Sequence, residues 1–337
     1  FGVDKLFVSG ELNSGLFIPD LESRLSQLYN RRYCFCLSDM TTAISQLLLH
    51  LNVQPGDSVL CHPFSCLSTT MAVKLIGARI EWIKLDFDKM SIDLNALESH
   101  KTNARVLINY NVAGYVPDFI ELEKICELKS IIMINDCNNA ELSKFRGKFA
   151  LEYGDYAIMS FYPNRWFGAV DGGAILSNIN MNGFHNKIRL GVDKKNYRNE
   201  FGAFNEHHDV GVIAGSNNMH NISARIVLNK IDKMNDIRSR AQDVYNFLYE
   251  NFEEYTVERI HDCDIIPWLF PITAKTPSNA MENLLSLGLE TTELHFLNDR
   301  YSIFSPSDNE HEVSRTLWLP MSRECVSLKK EILQNVK

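Results

Sequence analysis

Short apolar runs alternate with longer helical stretches along the first 220 residues of the chain. The runs are four to eight residues long and rich in β-branched side chains, as buried strands are. They cover residues 33–37, 58–61, 78–85, 104–110, 130–135, 156–160 and 173–177. Helices are predicted between them, over residues 41–51, 68–76, 95–99 and 119–128. This alternation indicates an α/β domain built on a mostly parallel sheet of seven strands.

The pattern changes after about residue 220. Residues 222–249 are charged and contain no Gly or Pro, which predicts one long helix. Two strands and two helices are predicted beyond it, over residues 255–259, 265–273, 279–287 and 328–336. We therefore expect a large domain over residues 1–235 and a small C-terminal α+β domain over residues 236–337, with the boundary inside the long helix.

Composition and charge exclude several classes of protein. The chain has 337 residues, more than a single core usually supports, so two domains are expected. Its 34 Lys and Arg against 42 Asp and Glu give a net charge of −8, which offers no general attraction to nucleic acid or anionic lipid. No apolar run approaches the ~18 residues of a membrane helix, and no signal peptide is visible. Any bound phosphate must rely on local contacts.

The cysteines and histidines do not indicate a metal site. The 8 Cys are scattered through hydrophobic segments, which favours buried free thiols in a reducing, cytoplasmic setting. Cys34 and Cys36 form only an isolated C-x-C pair. His207 and His208 are adjacent, so their side chains point apart, and we expect them in a surface loop.

Ligands in such sheets bind at the carboxyl ends of the strands. Strand 33–37 is followed by Ser38-Asp-Met-Thr-Thr42, which suits either a phosphate site or an ordinary N-cap at a helix start. Strand 130–135 is followed by Asp136, which is expected either to contact a ligand or to be an exposed turn residue. Strand 156–160 is followed by a loop that contains Arg165 and several aromatic residues.

In order and spacing, these segments resemble the DegT/DnrJ/EryC1/StrS family of sugar aminotransferases. Cys36-Leu-Ser-Asp-Met-Thr-Thr-Ala-Ile44 is similar to the family's C-V-S-S-G-T-A-A-L, and Gln54-Pro-Gly-Asp57 to its G-P-G-D. Ala72-Val-Lys-Leu-Ile-Gly-Ala78 is similar to A-V-L-Y-L-G-A, and Ile134-Asn-Asp-Cys-Asn-Asn139 to I-E-D-A-A-Q. Ser160-Phe-Tyr-Pro-Asn-Arg-Trp with Asp171-Gly-Gly-Ala is similar to S-F-H-P-T-K-N with E-G-G-A. The resemblance implies the fold-type I transferase fold, which binds pyridoxal phosphate.

The resemblance also implies roles for several retained residues. Asp136 would pair with the pyridinium nitrogen of pyridoxal or pyridoxamine phosphate and keep the ring an electron sink. Thr41 and Ser160 would hold the cofactor phosphate. Asn139 stands where the family has Gln and keeps the amide.

Other cofactor positions depart from the family's pattern. Arg165 occupies the position of the Schiff-base lysine, and its delocalised guanidinium cannot form the internal aldimine. Cys66 replaces the aromatic residue that stacks on the ring, and Met40 replaces the glycine of the phosphate turn. Ser216 and Asn218 lie in a segment that reads N-Y-R-M in the family, where it reaches the neighbouring subunit's site. Together these changes indicate that the cofactor site is not used in the usual way.

Two interpretations of Arg165 remain open. It either binds a phosphate or carboxylate of a ligand or forms a structural ion pair with Asp136 or Asp171. Lys144 and Lys148 flank a turn and are not expected to replace the missing lysine.

Three functions are therefore considered for the chain. The first is a divergent homologue of nucleotide-sugar aminotransferases, without conventional transamination. The second is a lysine-independent enzyme that uses pyridoxamine phosphate, because the family includes 3-dehydratases with His in place of the lysine. The third is an ordinary aminotransferase, which Arg165 disfavours. The resemblance further implies a homodimer with a shared site, a nucleotide-sugar ligand and a bacterial pathway of amino-sugar or surface-polysaccharide synthesis.

Overall fold

The computed structural model describes residues 3–191, 203, 214–258, 260–274, 277–307 and 316–336. The helices are α1 Asp4–Ser9, α2 Phe17–Leu28, α3 Met40–His50, α4 Leu67–Leu75, α5 Leu94–Ser99, α6 Phe119–Leu128, α7 Phe184–Lys187, α8 Asn221–Ile231, α9 Met234–Phe252, α10 Pro277–Ser286, α11 Glu324–Ser327 and α12 Lys329–Val336. The strands are β1 Tyr33–Leu37, β2 Ser58–Cys61, β3 Arg79–Trp82, β4 Leu85–Asp86, β5 Ser91–Ile92, β6 Val106–Tyr110, β7 Ile132–Asp136, β8 Lys144–Phe145, β9 Lys148–Phe149, β10 Tyr156–Ser160, β11 Gly173–Ser177, β12 Cys263–Asp264, β13 Leu269–Thr273 and β14 Thr316–Pro320.

A seven-stranded sheet organises the first part of the chain. Its order is β1-β11-β10-β7-β6-β2-β3. The run from β10 to β3 is parallel, and β11 is antiparallel to both β10 and β1. Alternate strand residues face two hydrophobic clusters, so both sheet faces are covered, as parallel sheets require. The predicted α/β class and the mostly parallel seven-stranded sheet are confirmed.

Most predicted elements lie within two residues of their observed positions, with four exceptions. The strand predicted over residues 265–273 begins only at Leu269, and a separate short strand covers Cys263–Asp264. The stretch predicted as one helix is two, because α8 ends at Ile231 and α9 begins at Met234. The predicted strand over residues 78–85 ends at Trp82, and Leu85 belongs to a separate pair of short strands. The predicted strand at residues 255–259 is wrong for its described part, since a 3-10 turn ends at Tyr255 and residues 256–258 form no strand.

The C-terminal part of the chain also reaches the carboxyl edge of the sheet. Strands β13 and β14 pair with each other, and Trp318 of β14 is fully buried. Between these two strands in the chain, the backbone N–H of Asn298 donates to the Pro63 carbonyl at 2.8 Å. Its side-chain amide donates to the Ser65 carbonyl at 2.9 Å. The segment around Asn298 is thereby fixed beside the loop that follows β2.

Among the described residues, no helix combines the length and the apolar character needed to cross a membrane. The eight cysteines are free, and six of them are buried. His207 and His208 lie outside the described residues. Elsewhere in the described chain, no cluster of potential ligands suits a metal ion.

Candidate functional site

Parallel strand ends bring the predicted site residues to one edge of the sheet. Tyr110 ends β6, Asp136 ends β7 and Ser160 ends β10. Cys66 follows β2 and is the N-cap of α4, where its sulfur accepts a hydrogen bond from Ser68 at 3.1 Å. The common direction of these strands explains why residues far apart in sequence meet here.

Asp136 is a fully buried acid held by two donors. Its Oδ2 accepts from the Thr69 hydroxyl at 2.7 Å, and its Oδ1 accepts from the Asn138 backbone N–H at 3.2 Å. Burial raises the pKa of Asp136 to about 6, although these hydrogen bonds and the charge of Arg165 act in the opposite direction. The side chain can therefore gain or lose a proton close to neutral pH.

Arg165 lies on the loop between β10 and β11. Its backbone N–H donates to the Tyr162 carbonyl at 2.9 Å, and its guanidinium lies 4.8 Å from the ring centre of Trp268. In the described part of the chain it forms no ion pair with Asp136 or Asp171, so the predicted structural ion pair is wrong. Its charge acts over a longer distance and lowers the pKa of Asp136.

Glu141 is a second buried acid, which sequence reasoning missed. It is fully buried, and its Oε1 accepts from the Trp166 backbone N–H at 3.2 Å. Its Oε2 has no hydrogen-bond partner among the described residues. Burial raises the pKa of Glu141 to about 8, and the charge of Arg165 partly offsets this rise. Glu141 is therefore held mostly protonated at neutral pH.

A hydrogen-bonded row of three side chains joins the sheet edge to the C-terminal part. The Asn139 amide donates to the Tyr110 hydroxyl at 2.8 Å, and that hydroxyl lies 2.8 Å from Nε2 of His295. Burial, together with the charge of Arg165, lowers the pKa of His295 to about 3. His295 is neutral at physiological pH, and the tautomer of its ring decides whether Nε2 accepts from the Tyr110 hydroxyl or donates to it.

The start of α3, predicted to hold a phosphate, is capped by the chain itself. Asp39 is the N-cap, and its carboxylate accepts from the Thr42 backbone N–H at 2.8 Å, the Thr42 hydroxyl at 2.7 Å and the Ser38 hydroxyl at 2.9 Å. The Met40 side chain packs into the hydrophobic core. A Cβ at Gly173 would lie 2.9 Å from the Asp39 carbonyl oxygen, so the helix start sits directly on β11.

The remaining predicted residues are only partly brought together. Thr41 is half-buried in the first turn of α3. Ser160 is buried, and its hydroxyl oxygen accepts from the Tyr162 backbone N–H at 3.2 Å. Asn218 is buried and forms a backbone bridge with Leu37, which places it beside the start of α3. Ser216 is exposed and pairs through its backbone with Arg189, so it lies away from the buried groups.

These residues fit the ring nitrogen of pyridoxal phosphate better than its phosphate or its aldehyde carbon. Asp136 supplies a buried acid of the kind that pairs with the ring nitrogen. At the phosphate end, the Asp39 carboxylate accepts from the Thr42 N–H and hydroxyl and places a negative charge at the α3 start. The position that the resemblance assigns to the aldimine lysine holds Arg165. The side chains therefore do not match the cofactor's phosphate or its covalent attachment.

Sequence reasoning missed Glu141, His295 and Trp268. Glu141 carried no clear signal, because the polar residues Asn139 and Ser143 lie close to it in sequence and no hydrophobic run surrounds it. His295 and Trp268 follow from no local pattern, since they come from the distant C-terminal part.

The fold is that of the pyridoxal phosphate-dependent sugar aminotransferases, with a mostly parallel seven-stranded sheet. The DegT/DnrJ/EryC1/StrS aminotransferase family model matches residues 2–331, and the chain belongs to that family.

Relatives and solved structures agree with this assignment. GDP-perosamine synthase from Escherichia coli O157:H7 is 22% identical over 332 residues, covering 94% of this chain and 88% of the relative. Among solved structures, the sugar aminotransferase CalS13 from Micromonospora echinospora superposes with a TM-score of 0.88 at 18% identity, covering 98% and 95% of the two chains. The structure of the GDP-4-keto-6-deoxy-D-mannose-3-dehydratase of E. coli with bound hydrated pyridoxal phosphate superposes with a TM-score of 0.84 at 16% sequence identity. The match covers 100% of this chain and 95% of the dehydratase chain.

Proposed function

We propose that this protein binds a nucleotide sugar at the sheet edge and does not carry out transamination through a lysine-bound cofactor. The observation that carries the proposal is Arg165, whose guanidinium lies over the ring of Trp268 and whose charge lowers the pKa of the buried Asp136. A guanidinium cannot condense with pyridoxal phosphate as a lysine does. The protein is thus a divergent homologue within amino-sugar or surface-polysaccharide synthesis.

The nucleotide-sugar ligand is supported by the names of the relatives. GDP-perosamine synthase is one of them, and a structural neighbour, GDP-4-keto-6-deoxymannose-3-dehydratase, was solved with bound GDP-perosamine. Calorimetric titration with GDP-, UDP- and dTDP-linked sugars, with each free nucleotide as the control, tests this part of the proposal. A failure to bind any of the three sugars more tightly than its nucleotide would refute it.

The missing aldimine is tested by absorbance after addition of pyridoxal phosphate and dialysis. We expect no lasting aldimine band from the wild type. Lys144→Arg is the control for adventitious reaction, because Lys144 is a partly exposed lysine that packs over Phe149, away from the strand ends. A wild-type band that resists dialysis and persists in the Lys144→Arg variant would overturn the proposal.

A lysine-independent dehydratase is the second candidate. It is favoured by the buried Asp136, which suits a pyridinium ring, and by the structural similarity to a 3-dehydratase. Incubation with pyridoxamine phosphate and GDP-4-keto-6-deoxymannose, followed by mass spectrometry, separates the two candidates. A sugar product that lacks one oxygen atom, formed together with pyridoxal phosphate and ammonia from the pyridoxamine phosphate, supports the dehydratase, and unchanged sugar supports the binding protein.

The assembly, location and domain organisation belong to the same proposal. We propose a cytoplasmic homodimer, on the family resemblance and on the buried free thiols. Light scattering at several concentrations tests the dimer. The domain boundary near residue 235 is supported by the break between α8 and α9. Limited proteolysis tests that boundary.

A further inference from the structure

The N-cap residue of α3, Asp39, places a carboxylate at the start of that helix. Asp39 has an extended backbone, with φ −161° and ψ 171°, and its carboxylate turns back over the first turn of the helix. There it accepts hydrogen bonds from one backbone N–H and from two hydroxyls, those of Ser38 and Thr42. A phosphate bound at a helix start uses donors of the same kind. The carboxylate therefore takes three of the donors at this helix start and adds a negative charge of its own there.

Contacts with neighbouring segments fix the backbone on which this carboxylate stands. Gly173 leaves room for the Asp39 carbonyl, which would lie 2.9 Å from a Cβ at that position. The Ser38 backbone N–H donates to the Asn217 carbonyl at 2.8 Å. The backbone of Asp39 therefore cannot shift without disturbing the join between α3 and β11, and the carboxylate itself is held by its three hydrogen bonds.

A second acid lies close enough to sense this charge. Burial raises the pKa of Asp171, and the negative charge of Asp39 adds to the rise. The Asp171 carboxylate also accepts from the Gly172 backbone N–H at 2.7 Å. The region next to the α3 start is thus acidic, and it opposes a dianion more strongly than Asp39 alone would.

We propose that Asp39 replaces the phosphate of a ligand at the start of α3, so that the site discriminates against phosphorylated pyridine cofactors. The ligands it accepts present an uncharged group, such as a sugar hydroxyl, at this point. The inference deepens the proposed function and rests on it for the identity of the ligand. In the similar family segment C-V-S-S-G-T-A-A-L, a serine stands where this chain has Asp39.

The expected size of the effect follows from simple electrostatics. Two like unit charges 4 Å apart repel even at the dielectric constant of water, which for a phosphate dianion weakens binding about 30-fold. The favourable helix dipole acts equally in the wild type and in variants of Asp39, so it does not contribute to the difference between them.

The test compares pyridoxamine 5′-phosphate with unphosphorylated pyridoxamine. Titration gives the ratio of their dissociation constants, which isolates the contribution of the phosphate. The variants are Asp39→Ser and Asp39→Asn, because Ser and Asn cap helices about as well as Asp but carry no charge. Asp118→Ser is the matched control, since Asp118 caps α6 through the N–H groups of Ile120 and Glu121.

We expect no preference for the phosphorylated compound in the wild type and in Asp118→Ser. Both Asp39 variants should gain a preference of about 30-fold. A wild type that already prefers the phosphorylated compound overturns the inference. So do folded Asp39 variants that gain no preference or bind neither compound. These outcomes differ from failure of the proposed function, which would appear as an aldimine band in the wild type.

Discussion

Glu141 should make the stability of the protein fall as pH rises. Its pKa is raised by burial from the ordinary 4.5 to about 8. Between these values the folded chain keeps the proton and the unfolded chain loses it, so unfolding releases a proton and stability decreases with increasing pH. The loss amounts to at most about 1.4 kcal/mol per pH unit, or about 4 kcal/mol between pH 5 and pH 8. The Glu141→Gln variant removes this contribution, because an amide does not ionise.

Urea denaturation at pH 5 and at pH 8 measures the effect for the wild type and for Glu141→Gln. Glutamine keeps an acceptor for the Trp166 N–H, so the difference between the two pH values, and not the absolute stability, reports the buried acid. Glu98→Gln is the control, since Glu98 is exposed on α5. The same pH dependence in the wild type and in Glu141→Gln would show that Glu141 is ionised in the folded protein.

Two further predictions concern the packing that supports the site. Gly173→Ala should destabilise the protein by about 1–3 kcal/mol, because the new Cβ would lie 2.9 Å from the Asp39 carbonyl oxygen. Arg31→Met should cost about 2–4 kcal/mol. The Arg31 side chain is buried and donates to the carbonyls of Leu151 at 2.7 Å and Tyr153 at 2.8 Å, which the variant leaves unpaired. Thermal unfolding tests both predictions, and melting temperatures within 1 °C of the wild type would contradict them.

The sheet was predictable because its strands are short apolar runs bounded by polar turns. The strands at residues 58–61 and 156–160 have the predicted bounds, since burial on both faces makes each run continuously hydrophobic. The break at Asp232 and Lys233 was not predictable from helix propensity. Neither residue is a Gly or Pro that would end a helix, and α8 packs on α2 whereas α9 contacts β13 and α11.

The site was predictable only where a residue stands directly at a strand end. Asp136 follows that rule. His295 does not, because it reaches Tyr110 from 185 residues away in sequence. Asp39 was recognised as a possible N-cap, but the hydroxyls that surround its carboxylate are a matter of side-chain geometry that no spacing rule contains.

Replacing Arg165 with lysine should therefore not be enough to restore cofactor binding. Such a variant regains the amine for an aldimine, but Asp39 still repels the phosphate that would hold the cofactor while the bond forms. We expect Arg165→Lys to give an aldimine band that dialysis removes and Arg165→Lys/Asp39→Ser to give one that persists. Asp118→Ser in the Arg165→Lys background is the control for the lost cap. If Arg165→Lys alone retained the cofactor as well as the double variant, the two ends of the site would be independent, and the charge of Asp39 would not limit binding.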